Sequence, residues 1–154
     1  MTASLRPMTD AEYDAWLPQA MEHYASDVVD AGVPEDAARA KAEADFPRLL
    51  PNGLATEGQW LYVVEEDGAP VGMLWVAERI DDVGPNLFIY DVVIDKEHRG
   101  RGLGKAAMQL AEDEARRRRI PRVTLNVFGG NEVARNLYRS LGYGELAVYM
   151  MKSV

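Results

Sequence analysis

A glycine-rich turn between a strand and a helix is the first place where this chain could do chemistry. Ile94-Asp95-Lys96-Glu97-His98-Arg99-Gly100-Arg101-Gly102-Leu103-Gly104-Lys105 leads from an apolar run through Arg-x-x-Gly-x-Gly into a helical pattern. Glycines let backbone approach a ligand closely, and the free N–H groups of a helix start converge on an anion. With Arg99, Arg101 and Lys105 alongside, such a site suits a pyrophosphate. Taken alone, the pattern is equally well a plain tight turn. A Rossmann fingerprint is excluded, because its glycines follow an early strand of a βαβ unit. A Walker P-loop is excluded because Ala106, and neither Ser nor Thr, follows Lys105. Asp91 interrupts the longest apolar run, Leu87 to Ile94, and so is a candidate for a functional or a structural carboxylate. Asn131 after Gly129-Gly130 suits a helix N-cap, and Tyr138 by spacing alone would be a core aromatic on that helix.

Composition narrows the chemistry further. The 154 residues include 17 Lys+Arg, 25 Asp+Glu, two His and no Cys. The missing cysteines remove disulfides, zinc-thiolate sites, iron–sulfur clusters and thiol nucleophiles, and His23 and His98 alone cannot make a His-rich metal site. Both histidines read as surface residues rather than bases. The formal net charge of −8 argues against a nucleic-acid binder. Residues 1–98 carry 6 basic against 20 acidic groups (−14), whereas residues 99–154 carry 11 against 5 (+6). The four arginines Arg116 to Arg119 read as a solvated face at a helix C-terminus, where cations complement the dipole. No stretch approaches a membrane span and the N-terminus lacks a signal-peptide core, so a cytoplasmic protein is expected.

The elements that must position these residues can be read in order. Ser4 to Met8 predicts a strand, and Tyr13, Trp16, Leu17, Ala20, Met21, Tyr24 and Val28 predict one apolar helix face that Pro18 should kink or split. Pro34 opens a second, Ala-rich helix ending near Pro47. Strands are predicted at Trp60–Val64, Val71–Ala77, Leu87–Ile94 and Val123–Phe128, and a closing strand at Leu146–Met151. Helices follow Gly104 and Asn131. The order β-α-α-β-β-β-α-β-α-β predicts a mixed α/β fold in a single domain, 1–154.

In this arrangement the chain resembles the GNAT superfamily of coenzyme A-dependent N-acyltransferases. The resemblance rests on the central strand, Arg99-x-x-Gly102-x-Gly104, the Asn126 strand, and Asn131-x-x-Ala134-x-x-x-Tyr138-x-x-x-Gly142-Tyr143. It implies a central mixed, mostly antiparallel sheet flanked by helices, with acceptor-side elements in 1–86 and a coenzyme core in 87–143. It implies acetyl-CoA as acyl donor and no metal. The pantetheine arm would pair with the backbone of Val92, Val93 and Ile94, and the phosphates would sit on Arg99, Gly100, Arg101, Gly102, Leu103, Gly104 and Lys105. Asn131 would touch the coenzyme arm and Tyr138 would protonate the departing thiolate. Asp91 would orient or deprotonate the amine; many relatives carry Glu immediately before it, where this chain has Tyr90. Lys96 stands where relatives commonly have proline.

The activity so implied is direct acetyl transfer to a primary amine in a ternary complex, the acidic half pointing to a cationic small molecule or peptide as acceptor. A non-catalytic coenzyme A-binding module and a transfer-RNA-directed acetyltransferase are the alternatives, and a homodimer is left open.

Overall fold

Alternation of apolar side chains sets the architecture of the computed structural model, which describes residues 2–154. The strands are β1 (Ala3–Pro7), β2 (Gln59–Glu66), β3 (Ala69–Asp81), β4 (Gly84–Ile94) and β5 (Val123–Leu125). They form one sheet in the order β1-β2-β3-β4-β5, antiparallel except for the parallel β4–β5 pair. In β2 and β3 successive residues face opposite sides of the sheet. Tyr62, Val64, Leu74 and Val76 join one core with Leu103, Ala107, Met108 and Ala111. Leu61, Val63, Met73 and Trp75 join another with Ala20, Phe46 and Leu50. The sheet is therefore covered on both faces: α1 (Asp10–Asp30) and α2 (Glu35–Leu49) lie on one side, α3 (Leu103–Arg117) and α4 (Glu132–Ser140) on the other.

Local chemistry fixes the ends of these elements. Thr9 and Glu12 form a capping box at the start of α1, with the Glu12 N–H donating to Thr9 Oγ1 at 3.2 Å and the Thr9 N–H to Glu12 Oε1 at 2.9 Å. Arg6 of β1 binds Glu12 through both terminal nitrogens (2.8 and 2.9 Å) and Glu65 of β2 through Nε (3.0 Å), joining three elements. The Arg6 guanidinium holds the Glu12 carboxyl down at about 2. Asp67 and Gly68 both take positive φ, 51° and 85°, and make the two-residue turn of the β2–β3 hairpin. At Gly72 the strands come so close that a Cβ would run into the Val93 carbonyl oxygen.

The α/β class and element order agree with the sequence reading, with three differences. Helix α1 is continuous through Pro18. Pro18 and Asp14, whose carbonyl the ring deprives of a partner, both lie on the exposed side where water can serve it. Strand β5 stops at Leu125 instead of Phe128, and Leu146–Met151 has no regular secondary structure and lies outside the sheet instead of forming a sixth strand. No helix among the described residues is long and apolar enough to cross a membrane.

Candidate active site

Strand β4 is paired along its length with β3, but with β5 only from Leu87 to Ile89. The register with β3 slips by one residue just there: Val76 faces Ile89 while Trp75 faces Asp91, leaving Tyr90 without an opposite number. A bulge bends its strand and increases local twist, so β4 leaves β5 at the residue where the bulge begins. The β5-side backbone of Tyr90 to Ile94 is left unpaired within the sheet, open to an extended ligand. The bulge also sorts side chains. Leu87, Ile89, Val92 and Ile94 pack towards α3, and Tyr90 and Val93 towards α1 and α2. Alternation then gives Asp91 the same side as Val93.

Beyond Ile94 a short helical turn, Lys96–His98, leads to Arg99. The Arg99 Nε–H donates to the Ile94 carbonyl at 2.8 Å and ties the loop to the strand end. Gly100 and Gly102 take φ of 77° and 82°, and a Cβ on either would meet nothing within 4 Å. Gly102 N-caps α3 with no side-chain hydrogen bond and no acidic residue in the first turn. The first intrahelical bond closes at Ala106, whose N–H donates to the Gly102 carbonyl (3.0 Å), so the amides of Leu103, Gly104 and Lys105 remain free. Exposed glycines with open space above them and uncapped amides fit an anionic group with phosphates. The basic residues divide: Arg99 and Lys105 are exposed around the loop, whereas Arg101 is held by Glu66 of β2 at 2.7 Å.

Helix α4 forms the far wall. Asn131 is its N-cap, Oδ1 accepting from the Ala134 N–H at 3.2 Å, which leaves the amide nitrogen for another partner. Tyr138, half-buried, lies edge-on to Tyr143 with centroids 6.1 Å apart. Burial first, and then the Asp91 charge, pushes its phenol up. The Asp91 carboxyl is pushed up to about 6, by burial first and next by Asp27, with the Val92 N–H and His23 acting in the opposite sense. Sequence reasoning did not single out Asp27. Its signal was present, because Asp27 borders the apolar stripe of α1 between Tyr24 and Val28. Tyr90 is an aromatic packing residue against Trp75 and Phe88. Of the arginine run, Arg116 pairs with Asp113 (2.8 Å), Arg117 with Glu114 (2.6 Å), and Arg118 stacks over Trp60 at 3.5 Å while donating to the Tyr62 hydroxyl. Three of the four arginines are thus committed within the protein's own surface.

Comparison with known proteins identifies the family of the chain. The family model of the acetyltransferase (GNAT) family matches residues 17–143. YycN of Bacillus subtilis (strain 168), an uncharacterized N-acetyltransferase, is 34% identical over 157 residues spanning all of both chains. Its crystal structure superposes with a TM-score of 0.92 over 99% of each chain. A mycothiol acetyltransferase from Beutenbergia cavernae is 34% identical over 143 residues, 92% of this chain but 44% of the relative. At 16% identity, the aminoglycoside acetyltransferase AAC(6')-Iy, solved with a bisubstrate analog of CoA and acetylneamine, shares the fold with a TM-score of 0.66 over 100% of this chain and 99% of its own. A splayed β4, an open loop at the start of α3 and a tyrosine on the facing helix thus occur in a chain that belongs to the GNAT family of N-acetyltransferases.

Proposed function

We propose that this enzyme transfers an acetyl group from acetyl-CoA directly to the primary amine of a cationic small molecule or peptide. The observation that carries the reading is the combination of the unpaired β4 edge with the uncapped start of α3, which suits one ligand that is strand-like along part of its length and anionic at one end. Backbone groups of Val92, Val93 and Ile94 hold the arm of the donor, and Arg99 to Lys105 hold its phosphates, with Asn131 contacting the arm. The donor supplies an activated thioester; the remaining steps fall to the protein. A free alkyl amine is protonated at neutral pH, with a pKa of ~10.4. Asp91, with a carboxyl near 6, accepts a proton more readily than an ordinary carboxylate while staying ionised at pH 7. An N–H of β4 faces the carbonyl oxygen, where negative charge develops. Tyr138 donates its phenolic proton to the leaving sulfur.

Asp27 and Asp91, on facing elements, support a cationic acceptor, as does the −14 carried by residues 1–98. The test is thiol release from acetyl-CoA with a panel of neutral and polycationic amines at low and high salt. Polycations should react fastest and lose their advantage as salt rises. Equal rates across the panel, insensitive to salt, would overturn the assignment of acceptor class.

A further inference from the structure

Strand β1 stops before β2 does. Its last rung is Pro7 with Tyr62, and after the Met8 N–H has donated to the Leu61 carbonyl (3.0 Å) the chain turns away into α1. Gln59 and Trp60 therefore lie on β2 with no β1 residue paired to them. A cleft of about 440 Å³ opens there, walled by Leu5, Met8, Trp60 and, from the turn Gly53–Ala55, Leu54. Small-molecule sites run from ~300 to ~1,000 Å³. Glu114 and Arg117 of α3 and its C-cap, Arg118, complete the wall. Helix α3 has 15 residues, so this end lies about 20 Å from the Gly102 loop at its start, and the cleft is separate from the donor site.

The polar groups on the cleft are divided in an uneven way. Glu114 accepts from Arg117 Nε and Nη2 (3.2 and 2.6 Å), from Arg118 Nε (3.2 Å) and from the Tyr62 hydroxyl (3.1 Å), so both of its oxygens are engaged. The Tyr62 hydroxyl accepts in turn from Arg118 Nη2 at 3.0 Å. Gln59 Oε1 accepts from the Trp75 Nε1–H at 2.7 Å. Left without a side-chain partner among the described residues are Nη1 of Arg117, Nη1 of Arg118 and the Gln59 amide nitrogen. All three are donors, and two guanidiniums stand against one carboxylate. The Arg118 guanidinium also lies over the Trp60 ring at 3.5 Å, which gives the cleft a flat, cationic aromatic wall. Spare guanidinium N–H groups recognise a carboxylate, and the apolar wall beside them recognises a ring. We propose that this cleft is a second ligand site, for an aromatic carboxylate whose ring packs on Leu54, Met8 and Trp60 and whose acid group binds Arg117 and Arg118.

Phenylpropionate is a suitable probe, with phenylpropionamide as its uncharged counterpart. Calorimetry on the full chain, with coenzyme A at saturation so that the donor site is occupied, should show the acid binding at millimolar concentration or below. The amide should bind about tenfold more weakly, because it forfeits the charge-assisted bonds. Of the three tryptophan indole N–H resonances, that of Trp60 should move most. Arg117 is 63% exposed, so Arg117→Gln leaves the fold intact and should weaken the acid severalfold. Leu54→Trp should fill the cleft and abolish binding, with coenzyme A affinity unchanged in both variants. An absence of binding would overturn the site, as would equal affinity for acid and amide. So would an Arg117→Gln chain that binds as the native one does, or a shift confined to Trp16 and Trp75.

Discussion

Tyr90 lies on Trp75 with ring centroids 4.6 Å apart and planes 25° from parallel, and Phe88 meets it edge-on at the same separation. A position that carries a carboxylate in many proteins resembling this one is here part of an aromatic stack. Its hydroxyl has no assigned chemistry. Tyr90→Phe should therefore keep kcat within about twofold, whereas Tyr90→Ala should cost about 2–3 kcal/mol of stability in urea unfolding. A hundredfold loss of rate in the Phe variant would give the hydroxyl a catalytic part.

Asp91 should leave its mark on two pH profiles. As the base it works ionised, so kcat/KM should rise through pH 6 and level off, and Asp91→Asn should lose that limb. The stability effect runs the other way. The folded-state carboxyl is raised above its ordinary value of 3.8, so the folded form binds the proton more tightly than the unfolded one. That contribution is present at low pH and lost between about pH 4 and 6. Two pKa units correspond to ~2.7 kcal/mol, and with screening by solvent at a half-buried group about 1 kcal/mol is expected. Asp91→Asn should accordingly be more stable than the native chain at pH 7.5 by about that amount, and the difference should vanish near pH 4.

Tyr138→Phe keeps the ring against Tyr143 and removes the donor. A general acid is worth about 100-fold or more, so kcat should fall by about that factor. Affinity for coenzyme A, measured by titration calorimetry, should stay within twofold. Loss of affinity without loss of kcat would make Tyr138 a wall of the cleft and nothing more.

Gly102 separates ligand binding from stability. At φ 82° a β-branched residue is strained by about 1–2 kcal/mol, and its side chain would stand in the open space over the α3 amides. Gly102→Val should weaken coenzyme A binding at least tenfold while the protein remains folded by circular dichroism. Unchanged affinity would move the phosphates elsewhere.

What could be read from residues alone follows the range of the interactions involved. The α1 stripe from Tyr13 to Val28, the Asp67-Gly68 turn and the strand-to-helix passage at Arg99–Gly104 are written locally, in periodicity and turn chemistry. Pro18 misleads because its cost depends on which side of α1 meets water, and that is set by the packing of Trp16, Met21 and Tyr24 on the sheet. The closing strand misleads for a similar reason: Leu146–Met151 has strand chemistry, but a strand needs a neighbour, and its own sheet does not supply one. Asp91 was legible as a polar break in an apolar run. Its neighbour Asp27 was not, because 64 positions separate them along the chain and only the docking of α1 brings their charges to bear on one another.

The slip opposite Trp75 and Val76 has a consequence for the width of the cleft. Take Tyr90 out, and every remaining rung between β3 and β4 keeps its partner, Trp75 with Asp91 and Val76 with Ile89, in an unbroken alternation. Nothing in the ladder needs the extra residue, yet β4 parts from β5 at the residue before it. One residue without a rung on β3 thus stands where the fourth strand parts from the fifth, and deleting Tyr90 should straighten β4 and narrow the cleft without unpairing the sheet.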